Sequence, residues 1–173
     1  GREVVALALP GQDNIANARF VRDYIASRTE WTTVDVVGHS MGGLSLRYYL
    51  RNLGGTKVQA YVSLGTPQYG VWGACLLPQS NGGQMCPSSS FLTNLNSGDD
   101  TRGGFAYATI YSTGDEIVPY SRSKLDGGAC HFQVSSIKHD GLLHSPSVVF
   151  PLVAASLDDA ADNACPSGGT YRS

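Results

Sequence analysis

Short runs of apolar and polar residues follow one another along this chain in a regular order. Val4-Val5-Ala6-Leu7-Ala8-Leu9 is an apolar run stopped by Pro10-Gly11, the pattern of a strand buried on both faces of a parallel sheet. Between residues 14 and 27, Ile15, Ala18, Val21, Tyr24 and Ile25 recur at helical spacing with Arg19, Arg22 and Asp23 opposite them, which predicts an amphipathic helix. Residues 34–37 predict a second strand, and residues 44–53 a second helix closed by Gly54-Gly55. Residues 58–64 predict a third strand, ending at Gly65-Thr66-Pro67. Strand and helix alternating at this pitch predict a three-layer α/β fold, its mostly parallel sheet covered by helices.

Residues 68–104 break the rhythm. Gly, Ser, Asn and Pro crowd them, and only residues 90–96 read as a helical turn or two. A loop of this length is usually functional or covalently stapled. Regularity returns with a strand over 105–111, then Gly114-Asp115-Glu116-Ile117-Val118-Pro119. An alternating strand over 132–137 runs into Lys138-His139-Asp140-Gly141, and a helix is predicted over 147–157. The tail from 158 to 173 is polar and predicted irregular.

Composition narrows the class. At 173 residues and 42% hydrophobic content, the chain is expected to form a single domain around one core. A net charge of −2 supplies no electrostatic footprint for nucleic acid or an anionic membrane, and a monomer is expected. No apolar run approaches the ~18–20 residues of a membrane span. The opening Gly1-Arg2-Glu3, with neither Met nor a signal h-region, reads as a processed or truncated product.

Cysteines stand at 75, 86, 130 and 165, with no C-x-x-C pair of the kind that holds zinc. An even number of them in a weakly charged chain fits an oxidising, extracytoplasmic setting; the alternative is four reduced thiols in a cytosolic protein. The favoured pairing is local, Cys75 with Cys86 and Cys130 with Cys165. The first would close a Gly/Ser/Pro-rich loop, and the second would tie the tail to the body.

Gly38-His39-Ser40-Met41-Gly42 is a G-x-S-x-G pentapeptide placed between a predicted strand and a predicted helix. A serine on so sharp a turn is held in a strained conformation, and the flanking Gly38 and Gly42 are expected where side chains would collide with neighbouring backbone. Its Oγ would project at the carboxyl edge of the sheet, beside amides that favour developing negative charge. The hydroxyl needs a base. His39 adjoins the serine and points away from it, and His131 stands at a strand start. His139 and His144 both follow the last predicted strand; His139 is favoured and His144 is held in reserve. The base needs a carboxylate to fix its tautomer. Asp115, just past the strand over 105–111, fills that place with Glu116 as the neighbouring alternative. Asp99, Asp100 and Asp126 lie in loops with no strand to aim them. The chain order Ser, Asp, His is that of α/β-hydrolases.

These residues carry a resemblance. The stretch from Val34 to Gly43, Arg47-Tyr48-Tyr49-Leu50, Asn52-Leu53-Gly54-Gly55 and Ser63-Leu64-Gly65-Thr66-Pro67 resemble the secreted bacterial lipases built on a minimal α/β-hydrolase fold. Ile110-Tyr111-Ser112, Gly114-Asp115-Glu116-Ile117-Val118 and His139-Asp140-Gly141-Leu142-Leu143 are similar to the acid and histidine segments of that group. The resemblance covers residues 2–157. It implies a Ser40-Asp115-His139 triad, fatty-acid esters as substrates, secretion, and little or no lid.

The sequence departs from that group at its start. Lipases of the group begin with an earlier apolar strand and a His-Gly loop whose N–H supplies half the oxyanion hole. Here only the N–H of Met41 can be assigned, so the fold is expected to be N-terminally shortened and a sheet neighbour unpaired.

The reading is therefore a carboxylic ester hydrolase of the triacylglycerol lipase type, acting through an acyl-enzyme with no metal or organic cofactor. Val71, Trp72, Leu76, Leu77, Leu142 and Leu143 are candidates for the acyl-chain wall. Its rival is a non-catalytic binding domain on a hydrolase scaffold. Polyesters, thioesters and amides are alternative substrates.

Overall fold

The computed structural model describes residues 2–158, 165–166 and 168–172. Helix α1 (Asn14–Ser27) leads to strand β1 (Val34–His39), helix α2 (Met41–Asn52) and strand β2 (Val58–Leu64). A long connection holding short 3₁₀ turns and helix α3 (Ser90–Leu95) reaches strand β3 (Ala106–Ser112). Strand β4 (Ala129–Val134), helix α4 (Val149–Asp158) and strand β5 (Thr170–Arg172) follow. The strands lie in the order β1-β2-β3-β4-β5, with β1 to β4 parallel and β5 antiparallel to β4.

Alternation along the strands sorts the core onto two faces. Tyr61 of β2 and Tyr107 of β3 pack with Ala18, Val21 and Ile25 of α1 and Leu46, Tyr49 and Leu50 of α2. Their neighbours Val62, Leu64, Ala108 and Ile110 face the other way, with Phe132 and Val134 of β4, onto Val149 and the flank of α4. The helices of α1 and α2, the sheet and α4 are the three predicted layers.

Three expectations are corrected. Residues 4–9 form no strand: they carry no regular structure and are mostly exposed, with Val4 85% accessible. The physical reason is the lack of a partner. Among the described residues β1 pairs only with β2, so no ladder takes up the amides of residues 4–9. Only Leu7 and Leu9 reach the core, while Arg2 ties the segment to Asp35, Leu157 O and Asp158. Second, the strand predicted over 132–137 is β4 at Ala129–Val134, because its ladder with β3 begins at the Tyr107–Ala129 pair. Third, the tail is not wholly irregular: residues 170–172 form β5 against the start of β4. His131, at the strand start, is buried in the sheet beside Thr109.

Both expected disulfides are present, Cys75–Cys86 and Cys130–Cys165. Among the described residues no helix is long and apolar enough to cross a membrane, and no three His, Cys, Asp or Glu side chains cluster to hold a metal ion.

Candidate active site

Between β1 and α2, Ser40 adopts φ 51° and ψ −130°, a conformation that a non-glycine residue holds only when its surroundings impose it. Its N–H donates to Leu64 O at 2.9 Å, anchoring the elbow to the end of β2. The expected glycine crowding holds for Gly38, where a Cβ would sit 2.6 Å from Gly43 Cα. It fails for Gly42, whose nearest neighbour would be Leu9 Cδ1 at 3.9 Å. Gly43 is the crowded one, because α2 descends onto Thr66 and a Cβ there would meet Thr66 Oγ1 at 2.0 Å. Met41 opens α2, so its N–H has no acceptor within the helix and lies beside Ser40.

Asp115 follows β3, and its carboxylate is fully used. One oxygen accepts from the N–H groups of Ile117 (2.9 Å) and Val118 (2.8 Å), and the other lies 2.8 Å from His139 Nδ1. The Asp115 side chain is only 1% exposed. With Nδ1–H donated to Asp115, the other ring nitrogen of His139 is left as an acceptor, the form a general base requires. Among the described residues no hydrogen bond joins Ser40 Oγ to that nitrogen; such contacts commonly close only when substrate binds.

Residues not singled out for these roles hold the acid and the base in place. Ser112 Oγ accepts from Gly114 N–H (3.0 Å) and Ile137 N–H (3.1 Å), tying the acid loop to the histidine loop. Gly65, at φ +54°, leaves room for both side chains: a Cβ there would lie 2.9 Å from Asp115 Oδ2 and 3.4 Å from His139 Nδ1. A glycine closing a strand is the signal that could have marked it. Glu116 meets the backbone of His139 and not its ring: its carboxylate accepts the His139 N–H at 3.0 Å, which holds its pKa below the usual range. His39 packs its ring on that of His139 at 4.7 Å, with Nε2 3.0 Å from His139 O. Burial pushes the His39 pKa down, so the ring favours its neutral form.

The other candidates stand apart. His144 is exposed and its N–H donates to Gly141 O, within its own turn. Asp100 belongs to a second cluster, bonded to Tyr69 OH (2.7 Å) and Asp126 N–H (2.9 Å), and its burial raises its pKa. Of the acyl-wall candidates, Trp72, Leu76, Leu77 and Leu143 are exposed, Leu76 at 91%. Leu142 is 1% exposed and packs in the core beneath the site, which corrects its assignment.

An elbow serine after a parallel strand, a carboxylate after the next strand but one and a histidine after the next again define an α/β-hydrolase scaffold. Solved structures agree. The lipase B of Aspergillus fumigatus matches with TM-score 0.72 and 21% identity, over 85% of this chain and 42% of that one. The esterase domain of a Rhodothermus marinus protein matches with TM-score 0.60 and 13% identity, over 88% of this chain and 70% of its own. A bromoperoxidase from Bacillus anthracis gives TM-score 0.60 and 13% identity, over 89% and 77%. This chain therefore spans less than half the length of the Aspergillus lipase. Residues 13–148 match the lipase (class 2) family, and the chain belongs to that family. The family is one of carboxylic ester hydrolases.

Proposed function

We propose that this chain hydrolyses carboxylic esters through an acyl-enzyme formed on Ser40, with His139 as general base and acid and Asp115 as its orienting carboxylate. The observation that carries this reading is the 2.8 Å bond between His139 Nδ1 and the buried Asp115 carboxylate, with the strained elbow serine next in the chain to His39, whose ring contacts that of His139. Ser40 Oγ attacks the ester carbonyl while His139 takes its proton. The tetrahedral oxyanion forms beside the N–H of Met41, where the N-terminus of α2 favours negative charge. Collapse expels the alcohol, protonated by His139; water, activated by the same nitrogen, then releases the acid.

Lipid esters are the proposed substrates, in keeping with the family, and Trp72, Leu76, Leu77 and Leu143 offer exposed apolar surface for an acyl chain. The chain acts as a single monomeric domain, and its two disulfides favour an extracytoplasmic location. Asp115→Asn tests the site. It should keep the fold and lower turnover of a chromogenic ester on the order of 10⁴-fold, by favouring the wrong histidine tautomer. A larger loss in Glu116→Gln would reassign the acid.

A further inference from the structure

The main chain of His139 is gripped from both sides. Its N–H donates to Glu116 Oε2 at 3.0 Å, and its carbonyl oxygen lies 3.0 Å from His39 Nε2. The two gripping residues are sequence neighbours of the proposed acid and nucleophile. His139 stands five residues beyond the end of β4, outside the ladder, and the path to it passes through Ser136 at φ 60°. The His139 carbonyl also accepts a 3.2 Å bond from Leu142 N–H, which is shared with Lys138 O, in the 3₁₀ turn that follows; no strand fixes the peptide, so a ring anchored through Nδ1 could still pivot about that bond.

We propose that His39 and Glu116 are positioning residues, a two-sided clamp on the His139 peptide that aims its ring at Ser40; this rests on the Ser40-His139-Asp115 reading. The Nε2–H of neutral His39 donates to the carbonyl, and the Glu116 carboxylate accepts from the amide as a charge-assisted bond. The His39 ring, 4.7 Å from that of His139 and tilted by 41°, also blocks rotation away from the elbow. The nucleophile and base are thereby joined through the backbone as well as through the proton in flight. Loss of either grip lets the imidazole drift, and a displacement near 1 Å costs ~10² in rate.

The test compares His39→Ala, Glu116→Ala, His39→Gln and Glu116→Gln with the wild type on p-nitrophenyl butyrate, with turnover counted per Ser40 titratable by a fluorophosphonate. Counting per labelled serine removes any unfolded fraction. Both alanine variants should lose about tenfold in kcat with KM within about twofold. Both glutamine variants should recover most of that loss, because the Gln side chain supplies an N–H at the His39 position and a carbonyl oxygen at the Glu116 position. Wild-type kcat in the alanine variants, or a changed KM with unchanged kcat, would overturn the clamp. A lowered melting temperature with full turnover per labelled serine would overturn it too, leaving a purely structural role. Activity surviving both Ser40→Ala and His139→Ala would instead remove the triad reading, and the clamp with it.

Discussion

Two stretches of this molecule lie outside the strands of the sheet, and their compositions suggest the wrong one is ordered. Residues 4–9 are almost wholly apolar, yet they are mostly exposed and form no backbone ladder. The connection from 65 to 105 is rich in Gly, Ser, Asn and Pro, yet it is tied down along its length. Buried Arg47 of α2 donates to Gln68 Oε1 (3.1 Å), Asn96 Oδ1 (3.1 Å), Leu95 O (2.9 Å) and Asp100 O (3.0 Å). Gln84 accepts from Asn14 N–H (2.7 Å) and donates to Asp13 Oδ1 (3.0 Å), while α3 packs Phe91, Leu92 and Leu95 on Leu44. The Cys75–Cys86 bridge closes the remaining span. Order along this chain thus follows the supply of partners for backbone polar groups, and hydrophobicity without a neighbour does not make a strand.

Substitutions can break this comparison. Arg47→Ala should have the largest effect, about 3 kcal/mol or more of unfolding free energy in urea melts, because it strands several buried acceptors at once. A loss under about 1 kcal/mol would mean that the long connection is ordered by something else. Next, replacing Cys75 and Cys86 together with Ser should cost about 2–3 kcal/mol by the same melts, as expected for a short closed loop. Gln84→Ala should cost about 1–2 kcal/mol, since it uncovers the Asn14 amide at the start of α1. Val4→Ser should stay within about 0.5 kcal/mol, because its side chain is already in water. A loss above 1 kcal/mol there would show that residues 4–9 are packed after all and would erase the contrast.

Legibility in the sequence followed the same division. Helix α1 was readable to the residue, since its apolar stripe is a local property. Strands β1 and β2 were readable because each apolar run finds a ladder partner in the next. The run over 4–9 looked equally good and failed for want of one. The polar residues of β5 gave no period to read; their strand exists because the rim of β4 offers an open edge. At the candidate site, the elbow at Ser40 and the pairing of Asp115 with His139 were legible from motif, chain order and position at strand ends. The bonds of Glu116 and His39 to the His139 peptide were not, because they depend on how three loops meet in space. Gly43 replaced Gly42 as the crowded elbow position for the same reason, since the approach of Thr66 is a tertiary fact.

The central claim is that one serine carries the chemistry. A fluorophosphonate should label the wild-type chain once, on the peptide holding Ser40, with loss of ester hydrolysis in proportion to labelling. Ser40→Ala should neither label nor turn over, and His139→Ala should label at least ~10²-fold more slowly. Labelling on another residue, or ester turnover in Ser40→Ala above about a tenth of wild type, would contradict the account.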